Sequence, residues 1–277
     1  MQPLTLAISP CPNDTFIFDA LLHNKIDTEG LDFELVFADV EQLNQAAFQQ
    51  QYDITKLSYH AFAYASDYYT LMRSGSALGK NCGPLLISKE VLTDESLNNG
   101  SICIPGKFTT ANLLFSLKYP NAENKSFIIF SEIENKVLDD TFDAGVIIHE
   151  NRFTYEQKGL KKIIDLGEYW EQTYKVPIPL GGIAIKRSFD AEIQKSVGRI
   201  IKRSIEFAFA HPDSSKSFVA AHSQEMSEDV CRQHINLYVN KYSVELGFDG
   251  EYAVNTLYKI AQEHKIIPEL NKSIFVE

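Results

Sequence analysis

Leu4-Thr5-Leu6-Ala7-Ile8-Ser9-Pro10-Cys11-Pro12-Asn13-Asp14-Thr15-Phe16-Ile17-Phe18 sets the pattern from which the rest of the chain is read. Leu4–Ser9 is a short apolar run that stops at Pro-Cys-Pro, as a buried strand does on entering a loop. Asn13 or Asp14 then offers a capping side chain ahead of Phe16, Ile17, Ala20 and Leu21, an apolar stripe at helical spacing. A strand that runs through a loop into a helix is the unit of a parallel sheet covered by helices. The unit recurs. Phe33–Ala38 alternates as a strand, and Val40–Gln50 reads as a helix with Leu43, Ala46 and Ala47 on one face. Asp53–Leu57 is a strand again, and Ser58–Ala65 opens another helix.

The alternation resumes after a glycine-rich stretch, Ser74-Gly75-Ser76-Ala77-Leu78-Gly79-Lys80-Asn81-Cys82-Gly83-Pro84. Ser101–Ile104, Ser126–Phe130, Ala144–His149 and Lys161–Leu166 read as strands, Thr109–Lys118 and Ile133–Leu138 as helices. Val176-Pro177-Ile178-Pro179-Leu180-Gly181-Gly182 marks a return, followed by one strand, Ile183–Lys186. From Ala191 onward only helices are visible, among them Ile200–Ala210, Glu228–Asn240 and Tyr252–His264. That tail cannot bury its apolar faces alone and needs a sheet already built. The expected architecture is α/β with mostly parallel sheets in two lobes. Residues 1–90 and 181–277 make the larger lobe and residues 91–180 the smaller. Ligands of open α/β sheets sit at the C-terminal ends of strands, which here face each other across a cleft. A single compact domain is the alternative, and no internal sequence repeat is visible.

Composition narrows the class. The 277 residues are 44% hydrophobic and 23% charged, with a formal net charge of −11. Such an acidic surface repels phosphate backbones and anionic lipid, which argues against nucleic-acid and membrane-surface partners. No apolar run reaches the roughly 18 residues of a membrane span, and the N-terminus has no basic start. Cytoplasm is therefore the expected compartment. Cys11, Cys82, Cys103 and Cys231 are scattered and read as free thiols. No metal site is expected, since His211, His222, His234 and His264 fall in the tail without a ligand-like i, i+4 pair.

The strand-to-helix turns are where chemistry is expected. In the first, Asn13 and Asp14 are N-cap candidates facing the cleft and candidate substrate-binding residues there. In the third, Thr55-Lys56-Leu57-Ser58-Tyr59-His60, Ser58 stands at the strand end and Lys56 supplies positive charge. His60 reads as a buried histidine satisfied by a backbone carbonyl. Pro105-Gly106-Lys107-Phe108-Thr109-Thr110-Ala111 joins a strand to a capped helix, whose N-terminus suits a carboxylate or phosphate. It lacks the Lys-Ser/Thr pair of a nucleotide-binding P-loop. His149 follows the apolar run Ala144–Ile148 and so stands at the end of a buried strand. There its near-neutral pKa makes it the candidate general base. Cys11 and Cys82 are the weaker alternative, as thiol nucleophiles.

These loops also carry a family resemblance. Ser9–Phe18, Asp53–His60, Gly75–Gly79 with Gly83-Pro84-Leu85, Pro105-Gly106 with Thr109-Thr110-Ala111, and His149-Glu150 with Arg152-Phe153-Thr154-Tyr155 resemble the 1,4-dihydroxy-6-naphthoate synthase family. The resemblance spans residues 9 to about 185, and it implies a periplasmic-binding-protein-like (type II) fold of two α/β lobes with a ligand cleft between them. It implies the futalosine route to menaquinone: cleavage of cyclic dehypoxanthinylfutalosine to 1,4-dihydroxy-6-naphthoate and dihydroxyacetone, without metal or organic cofactor. It implies His149 as proton acceptor, with Lys56, Leu57 and Ser58 and the turn Thr109, Thr110 and Ala111 holding the substrate. A homodimer is an open expectation. The rival readings are the chorismate dehydratase of the same pathway, a transporter's solute receptor and a non-catalytic sensor.

Overall fold

The computed structural model describes residues 2–223 and 227–277. Its first half contains β1 (Leu4–Ile8), α1 (Pro12–Leu22), β2 (Phe33–Phe37), α2 (Val40–Phe48), β3 (Ile54–Ser58), α3 (Tyr59–Ala65), β4 (Tyr69–Leu71) and β5 (Ala77–Gly79). A second group follows: β6 (Leu85–Ser88), α4 (Asp94–Asn99), β7 (Ile102–Ile104), α5 (Thr110–Lys118), β8 (Lys125–Phe127), α6 (Ile133–Leu138), β9 (Ala144–Ile147), α7 (Asn151–Thr154), β10 (Lys161–Asp165) and α8 (Leu166–Tyr174). The chain ends with β11 (Ile178–Lys186), α9 (Ala191–Ala210), α10 (Lys216–His222), α11 (Glu228–Tyr238), α12 (Lys241–Val244) and α13 (Gly247–Glu263).

Two sheets result, one per lobe. The first runs β2-β1-β3-β11-β4, with β5 also paired to β11; the second runs β10-β6-β9-β7-β8. Both are mixed rather than mostly parallel. β1, β2 and β3 are parallel, and β11 is antiparallel to β3, β4 and β5. In the second sheet β7, β8 and β9 are parallel, and β6 is antiparallel to β9 and β10. Each sheet thus has the same plan: three parallel strands ordered second-first-third, then the antiparallel strand by which the chain enters or re-enters that lobe.

The crossings differ from the sequence expectation by a few residues. β6 pairs in the second sheet although it precedes residue 90, and Ile178–Leu180 belong to β11 in the first sheet although they precede residue 181. The glycine-rich stretch also holds a strand, β5. Where β6 begins beside the end of β10 the backbones press together: a Cβ on Gly83 would lie 2.3 Å from the Gly167 backbone, so neither position has room for a side chain.

Strand β3 and strand β9 are buried along their whole length, as strands covered on both faces are. Helix α1 is buried nearly all round because α9, α10 and α11 of the tail close over it. Helix α2 begins in a capping box, Asp39 accepting from the Glu41 and Gln42 N–H groups while Gln42 returns to the Asp39 N–H. Asn13 and Asp14 do not cap α1, contrary to the sequence expectation. The N-cap position is Cys11, and Asn13 and Asp14 lie inside the first turn with their side chains turned to the cleft.

Candidate active site

The ends of the parallel strands of both lobes meet at one cavity of at most about 700 Å³. Asn13, Asp14, Lys56, Leu57, Ser58, Thr109, Thr110, Ala111 and His149 all line it. The sequence reading had drawn these nine from four turns far apart in the chain.

In the first lobe Ser58 closes β3. Its N–H donates to Asn44 Oδ1 at 3.0 Å, and its Oγ accepts from Asn44 Nδ2 at 3.2 Å. With that lone pair engaged, the hydroxyl hydrogen is left to point at a ligand oxygen. Asn44, fully buried on α2, is a supporting residue that the sequence reading missed. Lys56 is held by an ion pair, its Nζ 2.9 Å from Asp14 Oδ1 with both side chains buried. Asp14 also accepts from Ser9 Oγ at 2.7 Å and from Asn13 Nδ2 at 2.8 Å. The ammonium therefore reaches the cleft already neutralised.

In the second lobe Thr109 caps α5 by accepting from the Asn112 N–H. The first-turn N–H groups that follow have no intrahelical acceptor, which gives the helix start its attraction for an anion. Thr110 Oγ1 donates to the Leu180 carbonyl at 2.6 Å, so its hydroxyl ties α5 to β11 of the opposite lobe. His60 Nδ1 lies 3.0 Å from the Thr109 carbonyl. Burial pushes this histidine down to about 4, in keeping with its structural reading.

His149 stands two residues beyond β9 rather than within it. Its φ of 59° is left-handed, which turns the chain sharply and leaves the ring half-buried in the cleft wall. Phe130 meets the ring edge-on at 5.0 Å between centroids. Burial lowers the His149 pKa, while the charges of Glu150 and Asp14 oppose that shift. The imidazole is thus favoured in its neutral, proton-accepting form at neutral pH.

Two wall residues come from the tail and were not singled out in the sequence. His234 and Tyr238, one turn apart on α11, present the same face to the cavity. His234 lies nearly parallel to His149, with centroids 6.1 Å apart, and its Nε2 is 2.9 Å from Asn13 Oδ1. The i, i+4 spacing was the available signal, but nothing local says that this helix reaches the cleft.

The thiols are poorly suited to nucleophilic work. Burial pushes Cys11 well above the usual thiol range and Cys82 up to about 12, so both stay protonated. Among the described residues one group of metal-ligating side chains comes together: Cys11, His149 and Glu150, with ligand atoms within 4.8 Å of one another. No helix among the described residues is long and apolar enough to cross a membrane.

A family model described as menaquinone biosynthesis matches residues 4–263. The chain is 38% identical over 276 residues to a Thermus thermophilus protein named 1,4-dihydroxy-6-naphtoate synthase, covering 100% of both. It is 39% identical over 272 residues to a Streptomyces coelicolor protein of the same name, covering 96% of this chain and 95% of that one. A crystal structure of an Archaeoglobus fulgidus protein matches with a TM-score of 0.90 and 34% identity, over 96% of this chain and 98% of that one. The ligand-binding component of a Staphylococcus aureus ABC-type import system shares the fold alone, with a TM-score of 0.73 at 12% identity over 100% and 97% of the two chains.

Proposed function

This chain belongs to the menaquinone-biosynthesis family and acts as a 1,4-dihydroxy-6-naphthoate synthase, and from that premise we propose how its cleft performs the reaction. The substrate is cyclic dehypoxanthinylfutalosine and the products are 1,4-dihydroxy-6-naphthoate and dihydroxyacetone. His149 is the proton acceptor. The observation that carries this reading is that His149, its pKa lowered by burial, lines one cavity with Ser58 and the N-terminal residues of α5.

The aromatic carboxylate of the substrate is received by the Ser58 hydroxyl and the N–H groups at Thr110 and Ala111, where a helix start favours negative charge. This orients the sugar-derived part toward His149. The imidazole removes a proton from a hydroxyl there, and the electrons left on oxygen form a carbonyl as the adjacent carbon–carbon bond breaks. The electrons of that bond pass into the ring, which becomes aromatic. Aromatisation supplies the driving force, so one base in a water-poor cleft suffices. Lys56 and Leu57 shape the floor beneath the ring, and the Asp14–Lys56 pair keeps that floor free of net charge. The reaction belongs in the cytoplasm, with the products passed on as soluble molecules.

The direct test is incubation of the purified chain with cyclic dehypoxanthinylfutalosine, following naphthoate by absorbance and the three-carbon product by mass. Turnover of the chorismate dehydratase substrate instead, or of neither compound, would overturn the reading.

A further inference from the structure

We propose that Cys11, His149 and Glu150 bind a single divalent cation of the zinc class, and that its arrival silences the cleft. The silencing half rests on His149 as proton acceptor; the binding half stands apart from it.

The donor set is the first argument. A thiolate, a neutral imidazole and a carboxylate are the ligand types zinc takes, with three protein ligands leaving a fourth position for water, and the arriving ion displaces to solvent the proton that burial keeps on Cys11 in its absence. Zinc holds sulfur at about 2.3 Å and nitrogen at about 2.0–2.1 Å, which at a tetrahedral angle separates the two by about 3.5 Å. Cys11 Sγ and His149 Nδ1 are 3.5 Å apart. A Glu150 carboxylate oxygen lies within 4.8 Å of both, so the three ligand atoms gather round one point.

The second argument is independent of the first. Glu150 is buried at 8% exposure, and its Oε2 has no hydrogen-bond partner. It faces His234 Nδ1 at 3.9 Å, which is also buried and also without a partner. Asp14 Oδ1 already accepts from Lys56 Nζ, so Asn13 turns its Nδ2 to that carboxylate and its Oδ1 to His234 Nε2, which ties His234 down on its far side. A buried carboxylate oxygen with no donor is costly and calls for something positive beside it. A cation on Glu150 supplies it. Once there, the ion occupies the lone pair of His149 that the reaction needs.

The test uses the full chain, stripped with a chelator, without substrate. Zinc uptake is followed by calorimetry, and cobalt(II) serves as the spectroscopic probe. One ion per chain is expected, with a thiolate-to-cobalt charge-transfer band. Cys11→Ser should abolish the band and weaken binding by about 100-fold or more, above the 10–100-fold cost of losing an outer-shell partner. Glu150→Gln, which keeps the shape, should weaken binding by at least about 10-fold. Turnover of the wild type should fall in step with zinc occupancy and return on chelation. Absence of uptake, a band that survives Cys11→Ser, or full turnover with the site filled would each overturn the proposal. If the metal-free chain turns over nothing, the function reading fails and takes the silencing with it, while calorimetry still decides the site.

Discussion

Replacing His149 by asparagine tests the mechanism with little disturbance elsewhere. His149 sits at φ 59°, a region that asparagine enters more readily than other residues with a side chain. The variant therefore keeps the turn after β9. It loses the contact with Cys11 Sγ and the edge-on packing of Phe130, worth about 1 kcal/mol of stability for a hydrogen bond. That corresponds to a melting shift of about 2–4 °C for a chain near this size. The chemical loss is much larger. A positioned base contributes about 10²–10⁴ in rate, or about 2.7–5.5 kcal/mol at about 1.36 kcal/mol per decade. Single-turnover rate, substrate affinity and melting temperature should be measured on the same preparation, with affinity expected to change little. In the wild type the active form is the neutral ring, so the rate should rise with pH. Burial places the midpoint below the ordinary histidine value of about 6.5, and the variant should lack this limb. A folded His149→Asn protein with turnover within about tenfold of wild type falls short of the least a positioned base supplies, and would remove His149 from the reaction.

Three further outcomes follow from the same geometry. Asp14→Asn leaves the buried Lys56 ammonium without its counter-charge, so stability should fall by about 3–5 kcal/mol in urea titrations; an unchanged midpoint would mean that the pair is solvated in solution. His60, pushed down to about 4 by burial, takes up its proton more readily in the unfolded chain. Its contribution is present above about pH 6.5 and is lost as pH falls toward 4, about 3 kcal/mol in all at about 1.36 kcal/mol per unit. His60→Asn should flatten the acid side of the stability profile, and identical wild-type and mutant slopes would refute this. The lobes, joined where the chain crosses from β5 to β6 and from α8 to β11, should close on a substrate analogue and lower the radius of gyration in X-ray scattering; an unchanged curve at saturation would count against closure.

Much of the site was legible because its signals are local. An apolar run that stops at Pro-Cys-Pro, a strand that ends at Ser58 and a threonine ahead of an apolar helix each depend on a few neighbouring residues. Those signals put nine residues from four turns at one cavity. The departures are equally physical. Asn13 and Asp14 look like caps by type and position, yet a buried ammonium and a buried imidazole outcompete the backbone N–H groups for their side chains. His149 reads as the last residue of a strand, but its left-handed φ places it beyond the strand in a turn.

Only the tertiary structure could supply what depends on long-range pairing. The shared plan of the two sheets leaves no sequence repeat, because strand order and direction are set by which backbones pair, and many side chains satisfy the same pairing. Strand β6 joins the second sheet and β11 the first for the same reason, which puts the first crossing at residues 80–84, inside the glycine-rich stretch, and the second just ahead of β11. His234 and Tyr238 are separated from α1 by more than 200 residues. Their helical spacing says that they share a face but not what that face meets, so their place in the cleft was decided when the tail closed over α1. The sequence by itself determined the strand-to-helix units and the residues at their turns, since these follow from local sterics, capping and periodicity. The fold decided which turns face one another, because that depends on surfaces that exist only once both sheets are built.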